Sequence, residues 1–336
     1  MMLNVVITSP SSADPTVEAG MRTLARLSAA VTLLEDAGVT AVVFTPGKRG
    51  TVSAFEPLTL AGALARATSS IGLVAADSAL FGYPYNTARR LATLDHLTEG
   101  RAGWLVLPTT DPGEEAGFGL AVGGEGQRIG RASEFVEVVH ALWDCWEPGA
   151  AVPDKATGDF QDDTRVHPIK HRSTYYQVDG PLDVPRCPQG RPVVVQAVGA
   201  PVELPLAARF AEVVAPWCAT NSDVAVAVSR VRSAGEQTGR DPAELVVLPA
   251  ARWRAGPDVV PIEEGKRMPE MLAELVHDTG ADGITLVGDG TIDWVEGLAG
   301  EVLPALRGLL APPRPGTTLA ENYGLRRAGE CDRSAA

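Results

Sequence analysis

The chain lacks the sequence features of several large protein classes. Its four cysteines, at positions 145, 187, 218 and 331, form no CxxC pair, so we expect reduced thiols rather than a disulfide framework or a zinc cluster. No apolar run approaches the roughly 20 residues of a membrane-spanning helix. The opening MMLNVVITSP has no basic signal-peptide region. Acidic residues outnumber basic ones by 42 to 29, a net charge of −13, which disfavours nucleic acid and membrane as partners. We therefore expect a cytoplasmic protein with a small-molecule substrate.

Common catalytic motifs are also missing. The sequence has no GxSxG nucleophile elbow and no Walker A loop. The glycines between positions 117 and 126 form no GxGxxG pattern after a strand, which argues against a dinucleotide-binding turn. The five histidines fall on predicted helices or in the connection after the fourth helix, and the HPIKH pair has no nearby acidic or cysteine ligand. The sequence predicts neither a catalytic histidine nor a metal site.

Residues 55–110 carry the clearest structural pattern of the chain. Apolar positions at helical spacing alternate there with short, purely apolar runs at 71–76 and 104–107. Such runs without polar alternation are typical of strands buried on both faces, as in parallel sheets. A strand–helix rhythm at this spacing predicts a parallel α/β fold.

The same rhythm extends over most of the chain and predicts a (β/α)8 TIM barrel, with a doubly wound open sheet as the alternative architecture. We expect one barrel domain over 1–311, an extended excursion at 147–191 with a hairpin around 174–178, and a tail at 312–336 whose end is disordered. Residues 111–130, rich in glycine, are predicted to be an irregular loop, and the fourth helix to span 131–146. The eight predicted strands are 3–8, 40–44, 71–76, 104–107, 192–197, 212–217, 245–249 and 283–287. The last helix is predicted over 292–310, with Pro304 as an interruption.

Function in a TIM barrel lies at the carboxyl ends of the strands. Polar residues that follow the predicted strands are therefore candidates, although most such residues in any barrel are structural. Asp77, Asp111, Arg252 and Arg254 are the candidates for acid, base and oxyanion roles. A phosphate could rest on the backbone amides of the loop 198–200, because exposed N–H groups bind anions without a specific side chain.

The chain resembles the bacterial-luciferase-like flavin monooxygenases, in the branch of nitrilotriacetate and dibenzothiophene-sulfone monooxygenases. The matching segments cover most of the chain in order: FEPLTL, IGLVA, PYNTARRLATLDHLTEGRAGW, EFVEVVHALWDCW, GPLDVPRCPQGRPVVVQA and GTTLAENYGL. The resemblance implies a barrel that holds reduced FMN in its mouth, reacts with oxygen and receives flavin from a partner reductase. It also implies a homodimer through the helices at 58–68 and 87–97, and an insertion after strand seven that is shortened here to 252–267.

The resemblance places the flavin phosphate on Gly199 and Ala200, with Arg128 or Arg131 supplying charge. The flavin ring would lie over strands three to five. The residues expected at the ring are Ala76, Ser78, Leu105 and Gln196, and Thr109 is a further candidate for cofactor binding.

Several polar residues of the family pattern are replaced in this chain. Leu105 and Pro108 stand for an asparagine and a threonine, Glu125 and Ile129 for a histidine and a tyrosine, and Ala200 for a serine. Each change removes a group that would bond to flavin or its phosphate, and Glu125 adds negative charge. Two hypotheses follow. The favoured one is an FMN-dependent monooxygenase with an altered cofactor site. The other is a barrel without flavin, acting as a cofactor-independent enzyme or a non-catalytic partner subunit.

Overall fold

The computed structural model describes most of the chain. The described residues are 1–8, 16–47, 55–108, 114–241, 244–253, 260–261, 268–288 and 291–325. The predicted site residues Thr109, Asp111 and Arg254 lie outside these ranges, as does most of the loop 252–267.

The fold is a barrel of parallel strands, as predicted. The strands are β1 (Met2–Thr8), β2 (Ala41–Thr45), β3 (Gly72–Ser78), β4 (Ala102–Leu107), β5 (His171–Arg172), β6 (Gln177–Val178), β7 (Val193–Val198), β8 (Val213–Pro216), β9 (Val246–Val247), β10 (Ala250–Arg252), β11 (Val260–Pro261) and β12 (Gly283–Val287). All except β5 and β6 belong to one sheet, in the order β11–β10–β12–β1–β2–β3–β4–β7–β8–β9. Two residues separate β9 from β10, and together they make one interrupted strand that pairs with β8 on one side and β12 on the other. That strand therefore closes the ring. Because β11 pairs, among the described strands, only with β10 and is not counted, eight strand positions result.

Helices cover the outside of the barrel, except for the last one, which closes its amino-terminal end. They are α1 (Val17–Asp36), α2 (Pro57–Leu64), α3 (Pro84–Leu97), α4 (Glu114–Phe118), α5 (Glu125–Asp144), α6 (Leu204–Phe210), α7 (Asn221–Gln237), α8 (Met268–Thr279), α9 (Ile292–Gly297), α10 (Leu303–Leu306) and α11 (Leu319–Asn322). Their ends follow local sequence signals. Thr16 and Thr220 cap α1 and α7 through their hydroxyls, and Gly38 takes the positive φ of +87° beyond α1.

The prediction of an irregular loop over 111–130 is wrong for the residues that the structure describes there. The helix α4 lies there, and α5 begins at residue 125, six residues before the predicted start. The cause is a local cap, since Gln127 Oε1 accepts a hydrogen bond from the Gly124 amide at 3.2 Å. Glu125 places negative charge in the first turn, where the helix dipole favours it.

The last predicted helix, over 292–310, is interrupted next to Pro304 as predicted, but its predicted end is wrong. It ends at residue 306, and a π-helical segment, Leu298–Val302, joins α9 to α10. Pro304 lies in the first turn of α10. Proline has no amide hydrogen to donate, which explains a change of hydrogen-bonding pattern just before it.

Alternate residues along each strand face the barrel interior and the helix layer, and we call this alternation strand parity. On β3, Val74 and Ala76 pack inward, while Leu73 and Ala75 pack against the helices. The same alternation on β4 directs Leu105 and Leu107 inward and Trp104 and Val106 outward. The position of a predicted site residue along its strand therefore decides whether its side chain faces the interior.

The segment after residue 311 closes the amino-terminal end of the barrel. Leu319 is fully buried, and its amide donates to the Gly100 carbonyl at 2.9 Å. The hydroxyl of Tyr323, itself buried, donates to Asn4 Oδ1 at 2.7 Å. Residues 319–325 are therefore part of the barrel core, although the sequence suggested only a tail beyond the domain.

The excursion at 147–191 carries a short antiparallel hairpin of β5 with β6, where the sequence predicts one. Glu134 of α5 organises it, accepting hydrogen bonds from His171 Nε2 at 3.1 Å and from the amides of Tyr175 and Tyr176. Burial opposes the charged form, but these donors prevail and lower the pKa of Glu134. The hairpin is thereby fastened to the outside of α5.

Two further properties bear on the sequence predictions. Within the described part of the chain, no helix combines the length and apolar character needed to cross a membrane. The cysteines at 145, 187 and 218 are buried and form no disulfide with one another.

Candidate functional site

The mouth of the barrel is formed by the inward-facing ends of neighbouring strands. Thr45 and Thr8 end β2 and β1, and their hydroxyl oxygens lie 3.4 Å apart. Ser78 and Leu107 end β3 and β4, are directly paired in register, and are each half-buried. These side chains form an open rim of mixed polar and apolar character.

An apolar platform lies one layer below this rim. Ala76 of β3 pairs in register with Leu105 of β4. Both face the interior, and their exposed fractions are 2% and 7%. Small and branched apolar side chains on adjacent strands provide a smooth surface that suits a flat aromatic ring. The structure therefore brings together three of the residues expected at the ring, Ala76, Ser78 and Leu105.

Gln196 lies on the opposite face of its strand. Its neighbours Val193 and Val195 pack inside the barrel, whereas Gln196 is buried against the helix layer. Its Nε2 donates to the backbone carbonyl of Glu203 at 3.2 Å. Gln196 thus supports the turn into α6 and does not line the platform.

Asp77 also faces the helix layer. Its carboxylate forms an ion pair of 2.9 Å with Arg90 and accepts a hydrogen bond from Thr87 Oγ1 at 3.0 Å, both on α3. Burial raises the pKa of Asp77 above its usual value, even though Arg90 opposes the shift. The geometry makes Asp77 an anchor between β3 and α3, on the far side of the strand from the platform.

The two arginines expected at the phosphate have other partners. Arg128 Nη1 donates to the Gly123 carbonyl at 3.2 Å and lies 3.9 Å from Glu115. Arg131 Nε donates to the Leu80 carbonyl at 3.0 Å. Its guanidinium carbon also lies 5.1 Å from the ring centroid of Tyr176. Binding a phosphate would require either side chain to exchange these contacts.

Backbone amides of the loop after β7 bind a carboxylate side chain of the same chain. Glu203 Oε2 accepts hydrogen bonds from the amides of Gly199, at 2.8 Å, and Ala200, at 3.0 Å. These are the two donors that the sequence assigned to the flavin phosphate. Glu203 was not among the predicted residues. Its three-residue spacing from Ala200 matches the glutamate of a capping box, which is the signal that could have identified it.

The remaining described candidates lie near the rim. Glu125 is exposed and Ile129 half-buried on the first turns of α5. Arg252 ends β10, half-buried, and strand parity directs it inward with Ala250. Among the described residues no carboxylate forms an ion pair with Arg252. In the same part of the chain, no group of three His, Cys, Asp or Glu side chains could hold a metal ion.

Comparison with known proteins agrees with this architecture. The family model of the luciferase-like monooxygenases matches residues 1–258. The chain belongs to the luciferase-like monooxygenase family.

Its relatives differ in how much of their length it spans. The chain is 40% identical over 198 residues to N-acetyl-S-(2-succino)cysteine monooxygenase of Bacillus subtilis strain 168. It is 43% identical over 195 residues to nitrilotriacetate monooxygenase component A of Aminobacter aminovorans. Each match covers 58% of this chain but only 44% and 43% of those proteins, so the chain spans under half their length.

A third relative matches over nearly its full length. One of the pristinamycin IIA synthase subunits of Streptomyces pristinaespiralis is 32% identical over 312 residues, which covers 91% of this chain and 90% of that protein. Among solved structures, riboflavin lyase with modified FMN and riboflavin superimposes with a TM-score of 0.84 at 22% identity, covering 96% of this chain and 95% of that one. That likeness concerns the fold.

Proposed function

We propose that the chain is a flavin-dependent monooxygenase that receives reduced FMN from a separate reductase and oxidises a small organic substrate in the barrel mouth. The observation that carries the proposal is the apolar platform of Ala76 and Leu105, at the carboxyl ends of two adjacent strands in a barrel of the luciferase-like family. Bound reduced flavin would supply the electrons for activating oxygen.

The two ends of the proposed cofactor fit the site differently. The platform suits the ring, because it is apolar and lies one layer below the rim formed by Ser78 and Leu107. The phosphate end does not fit as the loop stands, because the Glu203 carboxylate takes the hydrogen bonds of Gly199 and Ala200. Binding through the ring is therefore the part of the proposal that the geometry supports.

Arg252 is proposed to contact an anionic group of the substrate. It is the described cation that strand parity directs inward at the rim, and no described carboxylate neutralises it. A guanidinium at the rim of the barrel attracts carboxylate or sulfonate groups by charge-assisted hydrogen bonds. Asp77 and the undescribed Asp111 stay candidates for proton transfer, although the Arg90 ion pair makes the first a less accessible one.

The proposal is tested by oxygen-isotope labelling. The protein is combined with a flavin reductase, NADH, FMN and ¹⁸O₂, together with a panel of small organic acids, sulfonates and sulfones. We expect one substrate to gain a single ¹⁸O atom, only when the reductase and this chain are both present. Flavin oxidation that yields hydrogen peroxide with every compound, and no labelled product, would count against a monooxygenase.

A second candidate function is a non-catalytic subunit of a two-chain monooxygenase. Two observations favour it. Glu203 fills the expected phosphate position, and the relative matched over 90% of its length is named as one subunit of a synthase. Under this hypothesis the labelled product would form only after a second, flavin-binding barrel chain is added.

Self-association is predicted through α2 and α3. A surface cavity of ≈ 740 Å³ lies between these helices. On its edge the exposed fractions of Tyr83 and Leu97 are 72% and 48%. Exposed apolar side chains around a groove mark contact surfaces. We expect a homodimer, which Leu97→Arg should convert to monomers.

Light scattering from 1 to roughly 50 micromolar protein measures the effect, a range chosen to bracket micromolar affinities. Leu33→Arg on α1 is the matched control, because Leu33 is also 48% exposed but lies away from the cavity. Wild-type protein at its monomer mass of 35.2 kDa throughout that range would overturn the prediction.

A further inference from the structure

The loop between β7 and α6 is built around an internal carboxylate. One oxygen of Glu203 receives both the Gly199 amide at 2.8 Å and the Ala200 amide at 3.0 Å. Two backbone donors converging on one anionic oxygen are the same arrangement that would hold a phosphate oxygen. The position is therefore already occupied by negative charge.

Glu203 is held in this position by its own backbone. The buried Gln196 side chain donates to the Glu203 carbonyl at 3.2 Å. The Glu203 amide donates to the Ala200 carbonyl at 3.1 Å. A tethered carboxylate competes at a high effective concentration. An incoming phosphate must displace it and then face its charge at close range.

The surroundings of the loop carry charges of both signs. A cavity of ≈ 320 Å³ adjoins the loop and is lined by Gly199, Ala200, Trp217 and Arg230 among others. Asp223 also lines it and adds negative charge, and its carboxylate accepts a hydrogen bond from the Thr220 hydroxyl at 2.7 Å. A phosphate therefore has space beside the loop, but the amides of Gly199 and Ala200 donate to Glu203.

From these contacts we propose that Glu203 takes the place of the flavin phosphate, so that this chain binds flavin through the ring and does not distinguish FMN from riboflavin. The inference rests on the proposed function, because it concerns the same mouth. It adds the absence of a preference for the phosphorylated flavin, which sets this chain apart from a phosphate-dependent flavin site. Replacing Glu203 should create the missing preference.

The first experiment measures flavin affinity by fluorescence quenching with FMN and riboflavin. Wild type should bind the two within about threefold of each other. Glu203→Ala, which frees both amides, should bind FMN at least tenfold more tightly and leave riboflavin unchanged, because each charge-assisted hydrogen bond is worth a factor of ten or more. Glu203→Gln keeps an acceptor on the loop without the charge, so the gain for FMN should be smaller. Glu236→Gln on α7 is the control for net charge.

The second experiment uses no flavin, so that the two hypotheses can fail separately. The amide signals of Gly199 and Ala200 are followed by NMR during titration with inorganic phosphate. These signals should not change with phosphate in the wild type, and they should shift with phosphate in Glu203→Ala. This pattern without any flavin binding would support the role of Glu203 and reject the proposed function. A wild type that prefers FMN over riboflavin by tenfold or more, or Gly199 and Ala200 signals in Glu203→Ala that ignore phosphate, would overturn the inference.

Discussion

Replacing Leu319 by alanine should lower the free energy of unfolding by about 2–5 kcal/mol, the range for a fully buried leucine. The side chain is 0% exposed and fills the amino-terminal end of the barrel. Two strand glycines leave room for it. A Cβ atom at Gly72 would lie 2.4 Å from Leu319 Cδ1, and one at Gly103 would lie 3.3 Å from Cδ2. The substitution would leave a cavity that rigid strands cannot close.

Urea unfolding followed by circular dichroism measures this loss. Leu33→Ala is the matched control, because Leu33 is 48% exposed and should cost well under about 1 kcal/mol. Gly72→Ala alone should also destabilise by overpacking. Combined with Leu319→Ala it should cost less than the sum of the two, because the smaller side chain admits the extra methyl group. An equal effect of Leu319→Ala and Leu33→Ala would exclude α11 from the core.

Replacing Leu107 by tryptophan should weaken flavin binding by roughly 10- to 100-fold. Leu107 is half-buried, faces inward, and pairs with Ser78 just above the platform of Ala76 and Leu105. An indole there would occupy the space that the flavin ring needs. Overpacking of this size costs about 1–3 kcal/mol, and each 1.4 kcal/mol is a factor of about ten in affinity.

The measurement is a fluorescence titration with FMN, accompanied by a thermal melt to show that the variant is folded. Leu107→Met serves as the control, because it preserves volume and should leave affinity within about threefold. A folded Leu107→Trp variant with wild-type affinity would show that the ring does not lie over β3 and β4.

The sequence predicts the barrel well but cannot assign the faces of its strands. The runs 71–76 and 192–197 are apolar on both sides, because one side packs inside the barrel and the other under helices. Periodicity therefore could not show that Asp77 and Gln196 face the helix layer while Ala76 and Ser78 face the interior. Strand ends and the family resemblance made all four candidates, and only the fold separates them.

Two other features depend on contacts that are distant or weakly signalled in the sequence. The burial of α11 arises from glycines more than 200 residues earlier in the chain, which no local pattern reveals. Glu203 carries only the short capping-box spacing, and this spacing gives no indication that the capped amides are those expected at a phosphate. The early start of α5 was hidden because five glycines between 117 and 126 suggested a loop.

The central claim is that this barrel binds reduced flavin at its mouth. An anaerobic calorimetric titration of the wild-type protein with chemically reduced FMN tests it directly. We predict saturable binding of one flavin per chain, with reduced riboflavin reaching the same stoichiometry and a similar affinity. Heats no larger than those of dilution for both flavins, from a protein shown to be folded, would contradict the claim.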